Sequence, residues 1–265
     1  ARANKGRGLR LLTGRVTSPT LGAQIKALLA DMPEARWHQY ESVHTDNSRA
    51  GAVQAFGQPV NTYYDLTKAD VVVSLDADLF EAGHAAVRQA RDFMGRRTQQ
   101  VRAGAASDSQ LNRLYVAECS PTGTGSVADH RLALDSGRIE ALTAQLARDL
   151  GVSVAGSLPA FDDTTGWLAP LASDLQQHRG RSAIIVGEHQ APAVHALAHA
   201  INSALGNIGH TVHLTDPLDA VSIDQTGSLV ELVNDMRADE VTALIMLDVN
   251  PVYDAPGELE FSSAL

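Results

Sequence analysis

LNRLYVAECSPTGTGSVADHRL, running from Leu111 to Leu132, is the stretch on which the fold turns. Leu114-Tyr115-Val116-Ala117 is a short unbroken apolar run, the pattern of a parallel strand buried on both faces. It stops at a carboxylate, Glu118, and opens into the loop SPTGTGS before Ala128-Asp129-His130-Arg131. In open α/β sheets ligands sit just beyond the carboxyl ends of strands, and an acid ending a strand is where a ribose hydroxyl is held. The stretch therefore reads as the rim of a nucleotide crevice.

Working outward, the same alternation recurs on both sides. Upstream, Gly8–Gly14 is a first strand, Leu21–Asp31 a helix that Ser18 or Thr20 would cap, and Arg36–Tyr40 a second strand. A small-residue helix runs to Phe56, and Ala69–Leu75 is a β-branched strand ending in Asp76-Ala77-Asp78. Gly83 to about Arg97 is predicted helical, with Val87, Ala90 and Met94 inward and four arginines outward. Downstream come a helix at Arg138–Leu150 closed by Gly151, and a helix at Leu168–His178. Then follow a strand at Ser182–Val186, a helix at Ala191–Leu205 with Pro192 near its start, a strand at Thr211–Thr215, a helix at Gly227–Ala238 and a strand at Ala243–Leu247. This alternation predicts an α/β fold of two Rossmann-like lobes, with parallel sheets covered by helices on both faces. Val152–Asp163, with Gly156, Pro159 and two aspartates, is the best linker, placing a first domain at 1–155 and a second at 156–265. A short echo links the halves: Leu75-Asp76-Ala77-Asp78 and Leu247-Asp248-Val249-Asn250 each follow an apolar strand, and so mark equivalent loops.

The 265 residues suffice for one large core or two smaller ones, and a net charge of −10 argues against nucleic-acid or anionic-membrane partners. One cysteine, Cys119, excludes a disulfide framework and a cysteine-held iron–sulfur cluster within these residues. No apolar run approaches the roughly 18–20 residues that span a bilayer. The chain starts at Ala1 and stops within an amphipathic pattern, so a fragment of a longer protein is expected.

Asp76 and Asp78 at one strand end, with Glu118 at a neighbouring one, fit either a divalent-metal or acid–base cluster, or a solvated rim whose acids cap helices and meet arginines. The second reading is preferred. Under both, the carboxylates repel phosphate, and neither GxGxxG nor GxxxxGK[ST] occurs. His195 and His199 have the i, i+4 spacing of zinc ligands, with His189 nearby, but Ala-Leu-Ala between them lacks the glutamate of HExxH. A packed helix edge is the better account. Ser48, Ser120 and Ser126 lie in no nucleophile-elbow context, and Asn250-Pro251 is first a turn signal.

Taken together in order, GLRLLTGRVTSPTLGAQI, WHQYESV, AFGQPVNTYYDLTKADVVVSLDADL, ARDFMGRR, LNRLYVAE with TGTGSVADHRL, VHALAHAINSALGNIG and LDVNPVYDAP carry a more specific signal. The chain resembles the molybdopterin-oxidoreductase-like region of the large iron–sulfur subunit of bacterial alternative complex III, a respiratory quinol:electron-acceptor oxidoreductase. The resemblance implies that Ala117-Glu118 and Ala128-Asp129 stand where the wider superfamily receives a guanosine of its molybdenum cofactor. It places Asp76 and Asp78 at a glycine-rich turn, and retains Asn250-Pro251. The region where active members present a metal ligand is here His44-Thr45-Asp46-Asn47-Ser48, without cysteine.

The expectation is therefore a cofactor-free structural domain with no catalytic residue and no metal ligand. Glu118, Asp129, Asp76, Asp78 and Asn250 would be the remnant of a pterin-nucleotide crevice. By the resemblance, iron–sulfur clusters lie in a following ferredoxin-like domain of the same parent chain. Haem-carrying and membrane subunits are the further partners, and the location is the outer, periplasmic face of the cytoplasmic membrane. Two alternatives stand beside it: an active molybdenum bis(pterin guanine dinucleotide) oxidoreductase with Asp46 or Ser48 as ligand, and a Mg²⁺ enzyme using Asp76, Asp78 and Glu118.

Overall fold

The computed structural model describes residues 4–104, 111–153 and 160–265. In order the chain forms β1 (Leu9–Thr13), α1 (Pro19–Asp31), β2 (Arg36–Gln39), α2 (Asp46–Phe56), β3 (Asn61–Tyr64), β4 (Val71–Leu75) and α3 (Ala86–Arg102). It continues with β5 (Arg113–Glu118), α4 (Gly123–Ser126), β6 (His130–Ala133), α5 (Ile139–Asp149), α6 (Leu168–Gln177) and β7 (Ser182–Val186). Last come α7 (Pro192–Ala204), β8 (Val212–Thr215), α8 (Gln225–Arg237), β9 (Ala243–Leu247), α9 (Pro251–Asp254) and α10 (Phe261–Ala264). Among the described residues no helix is long and apolar enough to cross a membrane.

Two compact units emerge: Ala1–Asp46 with Pro217–Leu265, and Asn47–Asp216. This is not the division at 155/156. That boundary lies outside the described residues, and the strands on either side of it belong together, because β7 pairs in parallel with β4 in register Val71↔Ser182 to Leu75↔Val186. The first and last segments of the chain join instead, β9 pairing with β1 from Leu9↔Ala243 to Thr13↔Leu247.

The second unit carries a four-stranded parallel sheet in the order β6-β5-β4-β7. Alternating residues of its strands feed two cores. Val71, Val73, Leu75 and Ile184 pack with Leu142 and Leu146 of α5, Leu171 and Leu175 of α6, and Ile201 of α7. Val72, Leu114, Val116 and Ile185 pack with Phe93 of α3, Leu66 and Leu79. Both faces of this sheet are covered, as its continuous apolar strands require. An antiparallel ribbon, β3 with β8, adds a pairing that the strand–helix alternation did not predict. β3 (NTYY) and β6 (HRLA) are four-residue strands with little apolar content, so periodicity passes over them.

In the first unit the order is β2-β1-β9, again parallel. Leu11 on one face meets Ile25 and Leu29 of α1, while Leu12 on the other meets Leu229, Leu232 and Val233 of α8. The helix starts follow local chemistry. Ser18 accepts the Leu21 N–H at α1, and Asp224 accepts the Gly227 N–H at α8. α3 corrects one expectation: Val87 and Met94 are exposed, and the inward set is Ala86, Gln89, Asp92 and Phe93. Asp92 faces inward because Arg88 and Arg91 of its own helix neutralise it, which hides the buried stripe from an apolar-only pattern.

Candidate functional site

At the carboxyl edge of the second unit's sheet, three strand ends send polar groups to a carboxylate at the end of the fourth. Asp76, directly after β4, has φ +55°, a left-handed conformation that aspartate tolerates better than most residues. Its Oδ2 accepts from Ser136 Oγ (2.5 Å), His189 Nε2 (2.8 Å) and Gln190 Nε2 (2.8 Å), and its Oδ1 from the Cys119 N–H (3.4 Å). Ser136 follows β6, His189 and Gln190 follow β7, and Cys119 follows β5. Burial alone would raise the pKa of Asp76, but the bonds from Ser136 and His189 outweigh it and hold the carboxyl below its usual range.

These groups do not form a nucleophile relay. Ser136 gives its proton to Asp76 and stands 3.4 Å from His189 Nε2, the same ring nitrogen that faces the aspartate. A Ser-His-Asp relay needs one ring nitrogen for each partner. The arrangement is a clasp. It also closes the crevice where the crossover direction reverses between β4 and β7, since a Cβ on Gly187 would run into the backbone carbonyl of Asp76.

The neighbouring acids are likewise engaged within the unit. Glu118 accepts from Thr122 Oγ1 (2.7 Å) and Arg131 Nε (2.5 Å), and Asp78 from Thr124 Oγ1 (2.7 Å) and the Thr124 N–H (3.3 Å). The glycine loop that would cradle a phosphate is pressed onto these acids instead, and a Cβ at Gly125 would overlap the Glu118 carboxylate. Among the described residues no three His, Cys, Asp or Glu side chains gather as a metal site, which removes the Mg²⁺ arrangement of Asp76, Asp78 and Glu118.

The five residues expected to share one crevice occupy three places. Asp129 lies at the opposite, amino end of the sheet, where it accepts the Leu114 N–H (2.8 Å) and pairs with Arg97. Asn250 belongs to the first unit. Asp46 accepts the Gln225 and Thr226 N–H groups at the start of α8. His195 and His199 are buried on α7, and burial drives both pKa values down to about 4, so they are neutral packing groups. Ser136 and Gln190 had no sequence signal of their own, because only the sheet order brings them to Asp76.

The first unit repeats the turn but not the clasp. Asp248 follows β9 with φ +56°, matching Asp76 after β4, as the shared Leu-Asp motif places it. Among the described residues its carboxylate has no hydrogen-bond or ion-pair partner. Beside it lies a wide-open surface hollow, edged by Gly14 after β1, Tyr40 and Glu41 after β2, and Asn250 and Asp254 beyond β9. Tyr40 fixes the far wall by donating to the Asp254 carbonyl (3.1 Å), and Glu41 Oε1 accepts the Arg15 N–H (2.9 Å).

No family model matches the chain, and no curated protein matches it. Its fold is similar to a chain of the formyltransferase/hydrolase complex FhcABCD from Methylorubrum extorquens, solved with methylofuran. The TM-score is 0.51 at 14% identity, over 78% of this chain and 53% of that one, so this chain spans about half the length of the chain it matches. The likeness establishes the Rossmann-like α/β fold. It overturns the expected kinship with alternative complex III. With that go the respiratory electron-transport role and the molybdenum alternative, for the solved structure it resembles is a multi-subunit formyltransferase/hydrolase complex; the haem-carrying, membrane and ferredoxin-like partners gain no support from it. The segments that carried the resemblance are strand–turn–helix pieces such as β1 with α1, which parallel α/β sheets share generally.

Proposed function

We propose that this chain is an α/β subunit module of a multi-subunit enzyme assembly acting on formyl groups, joined to a partner subunit through the β9 side of its first sheet. The observation that carries the assembly is β9 itself. Ile245 and Leu247 continue the Leu11 face, Met246 continues the Leu12 face, and all three are about 40% exposed. A parallel strand apolar on both faces is built for a sheet interior, and an exposed edge of that kind is a pairing surface. The occupant we assign is a parallel strand of a partner subunit, followed by a helix that covers Ile245 and Leu247. Support for the formyl-handling part is the fold likeness to a chain of a formyltransferase/hydrolase complex.

The test is to purify the tagged protein under native conditions from its own host and determine its mass, its stoichiometric companions and its formyl-transfer and formyl-hydrolysis activities. The reading expects a defined hetero-oligomer with one of these activities, dissociated by Ile245→Lys with Met246→Lys. A protein at its own monomer mass, or an assembly inert toward formyl substrates, would refute it.

A further inference from the structure

The open edge of β9 has a definite phase. The Tyr40 N–H reaches the Thr13 carbonyl (2.9 Å), so Thr13 serves β2 and Leu12 serves β9. The Ala243 N–H reaches the Gly8 carbonyl (3.1 Å). Successive peptide groups of a strand point to opposite sides. Those of Ala243, Ile245 and Leu247 therefore face β1, and those of Leu244, Met246 and Asp248 face outward. The Asp248 N–H accordingly has no acceptor among the described residues.

In the second unit the matching turn has this side filled. The Gly187 N–H bonds the Leu75 carbonyl (2.9 Å), so Leu75 faces β7, while the Asp76 N–H bonds the Ala117 carbonyl of β5 (2.7 Å). The open side of β9 is thus the side that β5 takes on β4. There the ladder ends at Leu75↔Ala117, and two residues further on the Cys119 N–H turns back to Asp76 Oδ1 (3.4 Å). Charge adds a further condition. Glu41, Asp248 and Asp254 edge the hollow at this end of β9, and no lysine, arginine or histidine does.

We propose that the partner subunit's strand takes the place of β5 against β9: parallel, apolar on both faces, its ladder ending opposite Leu247, and followed by a basic loop that passes over Asp248. The carbonyl opposite Leu247 accepts the Asp248 N–H, and the residue two further on donates its own N–H to the carboxylate, so it is not proline. This rests on the assembly reading above and deepens it by fixing the partner's direction, register and charge. Burial of Ile245, Met246 and Leu247 drives the pairing, and the turn sets where the strand stops. A second copy of this chain does not fit. Two-fold related β9 strands would meet antiparallel and bring the acidic Asp239-Glu240 end of one beside Asp248 of the other.

The experiment uses the native assembly with a photo-crosslinking amino acid placed at Thr242 or at Asn250, exposed positions on either side of β9. The partner segment captured from Thr242 should lie N-terminal to that captured from Asn250, by roughly 5–10 residues, with lysine or arginine beside the second. Residue-resolved hydrogen exchange should show the Leu244, Met246 and Asp248 amides slowed at least about 10-fold relative to the isolated chain. A reversed order, capture of this chain's own β9, or no slowing of those three amides would overturn the inference while leaving an assembly in place. A preparation without stoichiometric companions would overturn the assembly reading, and this inference with it.

Discussion

Two strand ends in this molecule carry the same turn and put it to opposite uses. After β4, Asp76 is gripped by Ser136, His189, Gln190 and the Cys119 amide, and its side chain is buried among them. After β9, Asp248 takes the same left-handed conformation and stands exposed at an open hollow. The difference lies in what the neighbouring strand ends supply. The second unit has a fourth strand and Gly187, which lets the chain after β7 lie against the Asp76 carbonyl. The three-stranded sheet of the first unit has no described strand beyond β9. A turn is thus a neutral device: its surroundings decide whether it is locked into the fold or stands open to solvent.

The strongest way to break this contrast is through the glycines. Gly187→Ala drives a Cβ into the Asp76 backbone carbonyl, and a fixed overlap of that kind should destabilise the second unit by about 3 kcal/mol. Gly14→Ala in the first unit meets only the end of the Glu41 side chain, at 2.9 Å, and should cost about 1 kcal/mol or less. The two tryptophans fall one in each unit, Trp37 and Trp167. Single-tryptophan variants followed by fluorescence in urea therefore report the two effects separately; equal losses would contradict the account.

Acid should separate the units next. His195 and His199 in the second unit are held neutral by burial, with folded pKa values of about 4 against 6.5 for free imidazole. The folded state binds fewer protons than the unfolded one between those values. Stability is therefore complete above about 6.5 and falls as pH drops toward 4, by up to about 1.4 kcal/mol per pH unit for each histidine. Asp76 adds a later loss: its folded pKa is depressed, so its contribution is present above the ordinary carboxylate value and disappears as pH falls through the folded one. Urea titrations of His195→Gln and His199→Gln should show a flatter dependence in the Trp167 signal; an unchanged slope would count against neutral burial.

The smallest effect on folding is expected on the open side. In the isolated chain, Ile245→Lys and Met246→Lys change side chains on an open sheet edge and should alter the Trp37 transition by less than about 0.5 kcal/mol. A large loss there would mean that β9 is covered within the chain.

Much of the fold was legible because apolar periodicity and punctuation agree. β4, β7 and β9 are apolar runs interrupted only by Ser74 and Ser182, α7 starts at Pro192, and left-handed Gly151 and Gly206 follow α5 and α7. The division into units was not legible, because it depends on β9 returning to β1 and β7 to β4, pairings that no local pattern encodes. The site was half legible. The Leu-Asp echo located both turns, but Asp129 was placed at the rim by the family resemblance. It falls at the other end of the sheet because β6 begins there and runs parallel to β5. The family resemblance failed for a related reason: strand–turn–helix pieces repeat across parallel α/β proteins of unrelated chemistry.

The most direct test of the central contrast compares Asp76→Asn with Asp248→Asn by urea unfolding, each read from the tryptophan of its own unit. Asparagine tolerates the left-handed backbone at both positions, so only the charge and its donors change. Asp76→Asn should lower the stability of the second unit by about 2 kcal/mol, since it weakens charge-assisted bonds from Ser136, His189 and Gln190 and turns an amide toward some of those donors. Asp248→Asn should leave the first unit within about 0.5 kcal/mol of the parent. Equal losses at the two turns would show that Asp248 is held as Asp76 is, and would contradict the reading of one rim closed and the other open.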